Sequence, residues 1–204
     1  LGNKVLCSRR QKNSKGADFI FDSKNKELSK EILEDATHVL SCIPPSAEGK
    51  DPVLKQVKSQ LLNAKNLQWV GYLSTTGVYG DSQGAWVDEK TTPKPKQARS
   101  IRRLSCEKEW LETGLPLQIL RLPGIYGPGR SAFESLLIGK SKMIDKPLQV
   151  FSRIHVDDIA GAVLFLINLA SQGNRQIIVN VADNLPTNNI QVLSYAATLA
   201  GKTL

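Results

Sequence analysis

Apolar and polar positions alternate along this chain with two periods, and the order of the periods predicts the fold. Strand-like apolar runs occur at residues 4–7, 18–21, 37–43, 68–74, 116–121 and 176–181. Segments of helical period lie between them, at 26–33, 53–62, 96–112, 132–138, 156–170 and 188–200. Pro44 and Pro45 halt the third strand, because proline lacks the N–H that a ladder needs. The stretch 77–95, rich in Gly and Pro, reads as a loop. Strands separated by helices imply parallel pairing through right-handed crossovers, hence an α/β fold with a doubly wound parallel sheet. No internal repeat or low-complexity segment interrupts the pattern.

In such a sheet, ligands bind beyond the carboxyl ends of the strands. The positions to examine are therefore Ser8-Arg9-Arg10, Asp22-Ser23, residues 41–45, Ser74-Thr75-Thr76 and Leu122-Pro123-Gly124. Composition narrows the class further. The chain has 204 residues, 41% hydrophobic and 23% charged, which suits one core and a single domain over 1–204. The longest apolar run, 159–170, falls short of the roughly 18 residues that span a bilayer. The first ten residues hold no signal-peptide pattern.

Cys7, Cys42 and Cys106 form no metal-ligand or disulfide spacing, and His38 and His155 are too few for a histidine metal site. The expectation is three reduced, buried thiols in a soluble intracellular protein, with cytoplasm and an organelle such as the plastid stroma both open. The net charge is +8. Its densest groups are Lys4, Arg9, Arg10, Lys12 and Lys15, then Lys94, Lys96, Arg99, Arg102 and Arg103. No nucleic-acid motif accompanies them, so solvated surface is the plain reading and no nucleic-acid or membrane partner is expected.

Three motifs carry more information. The first is Tyr72-Leu73-Ser74-Thr75-Thr76-Gly77-Val78-Tyr79-Gly80-Asp81. The second is Leu120-Arg121-Leu122-Pro123-Gly124-Ile125-Tyr126-Gly127-Pro128-Gly129-Arg130. The third is Arg153-Ile154-His155-Val156-Asp157-Asp158-Ile159-Ala160. In this order and spacing the chain resembles the NAD(P)-dependent epimerase/dehydratase branch of the short-chain dehydrogenase/reductase superfamily. Ser41 to Pro45 and Trp86-Val87-Asp88-Glu89 point to an atypical subgroup. The resemblance covers nearly the whole chain and implies a Rossmann-like sheet.

The resemblance assigns roles position by position. Thr75 falls where the family has its catalytic Ser/Thr, a hydroxyl that donates to a substrate oxygen; capping of the loop by Thr75 and Thr76 is the competing reading. Tyr79 matches a tyrosine that is not the acid/base and is read as structural. The family's Tyr-x-x-x-Lys pair has no counterpart: aligning Glu107 with the family's glutamate puts Arg99 at the tyrosine and Arg103 at the lysine. A two-residue slip gives Ile101 and Ser105 instead. Arg103 remains able to hold a ribose or phosphate, but arginine, with a pKa above about 12, is a poor proton shuttle. Tyr126 is an alternative donor. His155, Asp157 and Asp158 most simply order the start of the long helix.

Cofactor-side positions follow. Ser8, Arg9 and Arg10 end a strand where the family meets the adenosine ribose, and arginine there favours the 2′-phosphate of NADP over NAD. Asp22 matches an adenine-side aspartate or caps the next helix. Ser41, Cys42, Ile43 and Pro44 would pass beneath the ribose and pyrophosphate. Pro123 and Gly124 would offer backbone to the nicotinamide amide. Thr76, Tyr126 and Arg130 fall on the substrate side, where Arg130 would meet an anionic group; turn chemistry explains the glycines and prolines equally well.

The family opens with a strand and a glycine-rich turn that cradles the pyrophosphate. Neither is legible here, since the chain begins on what resembles the end of the following helix. A shortened form of a complete protein and a natural chain without that turn both explain this, and a sheet lacking that strand should expose an edge. Two functions stay open. One is an NADP-binding oxidoreductase or epimerase/dehydratase acting on a small metabolite such as a nucleotide sugar. The other is a non-catalytic nucleotide-sensing or scaffold protein. A second copy of the chain is a further candidate partner.

Overall fold

A computed structural model describes residues 4–9, 16–21, 30–144, 146 and 149–203. In chain order the elements are β1 (Ser8–Arg9), β2 (Phe19–Ile20), α1 (Lys30–Glu34), β3 (His38–Ser41), α2 (Pro52–Asn63) and β4 (Trp69–Thr75). Then come α3 (Ala98–Leu111), β5 (Leu117–Leu122), β6 (Gly124–Tyr126) and α4 (Ala132–Leu137). The last are β7 (Arg153–His155), α5 (Val156–Ser171), β8 (Ile178–Asn180) and α6 (Asn189–Leu199). Strands β3, β4, β5 and β8 form a parallel sheet in that spatial order. Two parallel pairs, β1 with β2 and β6 with β7, stand beside it. This is the α/β fold with a parallel sheet that the alternating periods predict.

Alternation along β4 divides the interior into two cores. Val70 and Tyr72 face α2 and α3, where they pack with Val57, Leu61, Trp110 and Ile119. Trp69 faces the other way, into a core with Leu120, Leu122 and the α5 residues Ile159, Val163 and Leu166. All six residues of β5 are buried, as expected of a parallel strand covered on both faces. Gly71 is required here by close approach: a Cβ would lie 2.1 Å from the Trp69 ring and 2.7 Å from Leu40.

The start of α2 shows how local chemistry ties layers together. Asp51 precedes Pro52 at the first helical turn, and its Oδ1 accepts from the Val53 and Leu54 N–H groups. Its Oδ2 accepts from the Trp110 indole at 3.0 Å, so one buried carboxylate caps α2 and anchors α3. Burial pushes this carboxyl above its usual range, and the bonds from Leu54, Trp110 and Val53 oppose the shift.

The structure differs from the sequence expectations in several places. The loop at 77–95 begins with a 3-10 turn, Thr76–Tyr79, and β6 and β7 are additional strands. The helix expected at 26–33 is described only from Lys30 and runs to Glu34. Cys7 and Cys42 are exposed, and only Cys106 is buried, which corrects the expectation of three buried thiols. Among the described residues, no helix is long and apolar enough to cross a membrane.

Candidate functional site

Register brings the strand ends together. Ser41 pairs with Tyr72, and Thr75 with Leu122, so the carboxyl ends of β3, β4 and β5 form one edge. Residues 41–44, Thr75, Thr76, Pro123 and Gly124 collect along it. Thr75 ends β4 and caps the 3-10 turn, its Oγ1 accepting from the Gly77 N–H at 3.1 Å. The capping reading therefore describes the geometry. The donating reading survives it, because an accepting oxygen keeps its own O–H proton for another partner. The start of α3 lies against this point: a Cβ on Gly77 would sit 2.9 Å from Ser100 Oγ and 3.4 Å from Thr75 Oγ1.

Arg103 reaches the same edge from α3. Its Nη1 donates to the Leu73 carbonyl and the Tyr72 hydroxyl, both at 3.1 Å, and to the Ile43 carbonyl at 3.4 Å. The guanidinium lies 5.5 Å from the centre of the Tyr72 ring. One nitrogen thus clamps the ends of β3 and β4 together. Among the described residues, Nε and Nη2 have no acceptor. Burial raises the Tyr72 hydroxyl above the ordinary tyrosine pKa, and the neighbouring Arg103 opposes the shift.

Ser41 is buried, and its hydroxyl has no partner among the described residues. Cys42 and Pro44 are exposed and Ile43 half-buried. Gly124 is exposed at the start of β6, and the nearest atom a Cβ would meet is 3.8 Å away, so the backbone is open to approach. Tyr126 is 39% exposed and meets the His155 ring edge-on at 5.2 Å. His155 caps α5 through Nδ1, which accepts the Asp157 N–H at 3.3 Å. Arg130 is exposed on the loop bridged to Gly127. Ser8 and Arg9 form β1, with Arg9 exposed and Ser8 half-buried. Arg10 and Asp22 lie outside the described residues.

One feature of the site escaped the sequence reading. Ser74, Arg121 and Asn180 pair in register across β4, β5 and β8 and form a polar layer just beneath the edge. Glu107 of α3 takes Arg121 bidentately, with Nε at 3.1 Å and Nη2 at 2.7 Å, and accepts the Ser74 hydroxyl. Tyr79 stacks on Arg121 at 4.8 Å and donates to Asn180 at 2.8 Å, and Glu89 accepts the Asn180 N–H. The available signal was Arg121 itself, a cation closing an apolar run and so in need of a buried partner.

A dinucleotide needs donors for ribose hydroxyls, phosphate and a carboxamide. Ser41's unpartnered buried hydroxyl, the Nε–Nη2 edge of Arg103, the Thr75 proton and the open Gly124 backbone match that set chemically. These residues carry donors of the kind such a group would need.

Several known proteins are similar to this chain. No family model matches it. Protein YeeZ of Escherichia coli K12 is 29% identical over 150 residues, covering 71% of this chain and 53% of that protein, so the chain spans about half the length of the curated relatives it matches. A functionally unknown conserved protein from Silicibacter pomeroyi DSS shares 39% identity with a TM-score of 0.87, over 100% of this chain and 72% of that one. A structure described as a putative NAD-dependent epimerase/dehydratase from Methylobacillus flagellatus shares 28% identity with a TM-score of 0.81, over 100% and 75%. UDP-glucuronic acid 4-epimerase from Bacillus cereus, in complex with NAD, matches in fold at 24% identity with a TM-score of 0.71, over 94% and 68%. This chain belongs to the family of the conserved Silicibacter protein, on a Rossmann-like α/β fold shared with NAD-dependent epimerases and dehydratases.

Proposed function

We propose that the protein binds NADP in the edge formed by β3, β4 and β5 and acts as an oxidoreductase or epimerase/dehydratase on a small metabolite such as a nucleotide sugar. The observation that carries this reading is the convergence of Thr75, Arg103 and Ser41 at one strand edge. When bound, the nicotinamide would supply hydride transfer. Ser41, Ile43 and Pro44 would line its ribose side, Pro123 and Gly124 would offer backbone to the carboxamide, and Arg103 would hold a ribose or phosphate oxygen.

Thr75 donates its hydroxyl proton to the substrate oxygen while Gly77 fixes the oxygen's lone pair. Thr76, Tyr126 and Arg130 flank the substrate side. The preference for NADP rests on Arg9, which is exposed and able to pair with a phosphate, together with Arg10.

A second reading, nucleotide sensing without turnover, draws on the commitment of Arg103 Nη1 to the Ile43, Tyr72 and Leu73 oxygens. Calorimetric titration with NADPH and NADH tests both. Tighter NADPH binding that Arg9→Ala abolishes supports the proposal. No binding of either nucleotide up to millimolar concentration rejects it. Thr75→Val then separates the readings: nucleotide affinity should persist while any turnover found by substrate screening should vanish.

A further inference from the structure

Arg99, at the start of α3, has no place in the function proposed above, and Arg103 is given there only a ribose or phosphate oxygen of the cofactor. We propose that Arg99 and Arg103 hold an oxyanion of the substrate, a carboxylate or a phosphoryl group, next to Thr75. The proposal rests on the reading of this edge as a substrate site, and it gives the Nε–Nη2 edge of Arg103 to the substrate in place of the cofactor. Arg99 and Arg103 stand four residues apart on α3, one above the other on the same face. That face is the one from which Arg103 reaches the carbonyls of Ile43 and Leu73. The helix start is also in contact range of Thr75, through Gly77 and Ser100.

The protein itself shows what the relevant edge of a guanidinium binds. Arg121 presents Nε and Nη2 side by side to the two oxygens of Glu107. Arg103 is held in place by Nη1, and the same Nε–Nη2 edge meets no acceptor among the described residues. Arg99 is oriented as well: its Nε donates to Gln97 Oε1 at 3.0 Å, so both terminal nitrogens remain available. Gln97 is the N-cap residue of α3 but makes no side-chain cap bond.

Charge points the same way. The first turn of α3 contains no acidic side chain, and Arg99, Arg102 and Arg103 form no ion pair among the described residues. Guanidinium groups one turn apart repel each other, and Arg99, in the first turn, sits at the positive end of the helix dipole. A bound oxyanion relieves both penalties. Ser41, whose hydroxyl is buried and unpartnered among the described residues, stands in register with Tyr72 on the same sheet and offers a neutral donor nearby.

The test is titration of the full chain at low ionic strength with malonate and, separately, inorganic phosphate, whichever binds more tightly naming the source of the oxyanion. Arg99→Gln, an exposed substitution, should weaken that anion several-fold. Arg103→Lys keeps the charge but loses the fork and should weaken it about tenfold. Lys140→Gln, an exposed charge deletion in another element, should change nothing. Unaltered anion affinity in Arg99→Gln, or equal loss in Lys140→Gln, overturns the proposal. So does an equal loss of NADPH affinity in Arg99→Gln, which would assign the pair to the cofactor. Anion binding is read without NADPH, so failure of the nucleotide proposal and failure of this one are separable.

Discussion

The two ends of α3 carry arginine-directed chemistry of opposite kinds. Toward its C-terminal half, Glu107 is 1% exposed and engages the fork of Arg121, itself 2% exposed, with Ser74 on the same carboxylate. Toward its N-terminus, Arg99 and Arg103 present guanidinium nitrogens that meet no acid among the described residues. Burial explains the contrast. A charge withdrawn from water must find its partner within the fold, whereas one at the rim is solvated and stays available to a ligand. The same chemical group is a rivet at one end of the helix and, under the proposal above, a receptor at the other.

Breaking the rivet should have the largest effect. Glu107→Ala leaves Arg121 buried without its counter-charge and should cost about 3–5 kcal/mol, read as a shift of the urea unfolding midpoint. A cost under about 1 kcal/mol would mean that water reaches Arg121 and that the two ends of the helix do not differ in kind.

Cys106, next to Glu107, marks the dry side of the helix. Burial, with Asp51 and Glu109 adding to it, pushes its thiol from 9.0 up to about 12. Near pH 8 it should react with a disulfide reagent about a thousandfold more slowly than an unshifted thiol, and unfolding should abolish the protection. The folded form keeps this proton while the unfolded chain loses it. Its stabilising contribution is therefore complete below pH 9 and lost as the pH rises toward 12, so Cys106→Ala should flatten alkaline unfolding in that window.

Tyr79→Phe removes one hydrogen bond to Asn180 and should cost about 1 kcal/mol in the same urea assay. The smallest effect belongs to the other end. Arg99→Ala should change stability by less than about 0.5 kcal/mol, and a slight gain would fit relief of repulsion with Arg103. A loss above about 1 kcal/mol would show Arg99 to be structural.

These contrasts also explain what the sequence could reveal. Strands β4 and β5 were legible because parallel strands buried on both faces read as nearly continuous apolar runs, here interrupted in β5 by Gln118 and Arg121. Strands β6 and β7 are three residues each and half-exposed, so no hydrophobic period marks them. Thr75 and residues 41–44 could be placed at strand ends because strand order alone puts them there, whereas Arg103 lies within α3 and was placed only by the resemblance. The polar layer could not, since Ser74, Arg121 and Asn180 meet only through register, which periodicity does not encode across crossovers. Nor does a sequence say which nitrogen of Arg103 is committed to the Ile43, Tyr72 and Leu73 oxygens and which remain available. The exposure of Cys7 and Cys42 depends on what lies against the strand ends, which the spacing of the cysteines does not encode.

The parallel register has a consequence in time. Ile119 of β5 pairs with Ile178 of β8, and the intervening chain includes β6, α4, β7 and α5. That ladder closes only after a long segment has been ordered, and such non-local pairing is slow. Until β8 arrives, β5 presents an apolar, unpaired border to its surroundings. The molecule is then most at risk of joining the wrong partner while it folds, and slowing the arrival of β8 should show up first as aggregation.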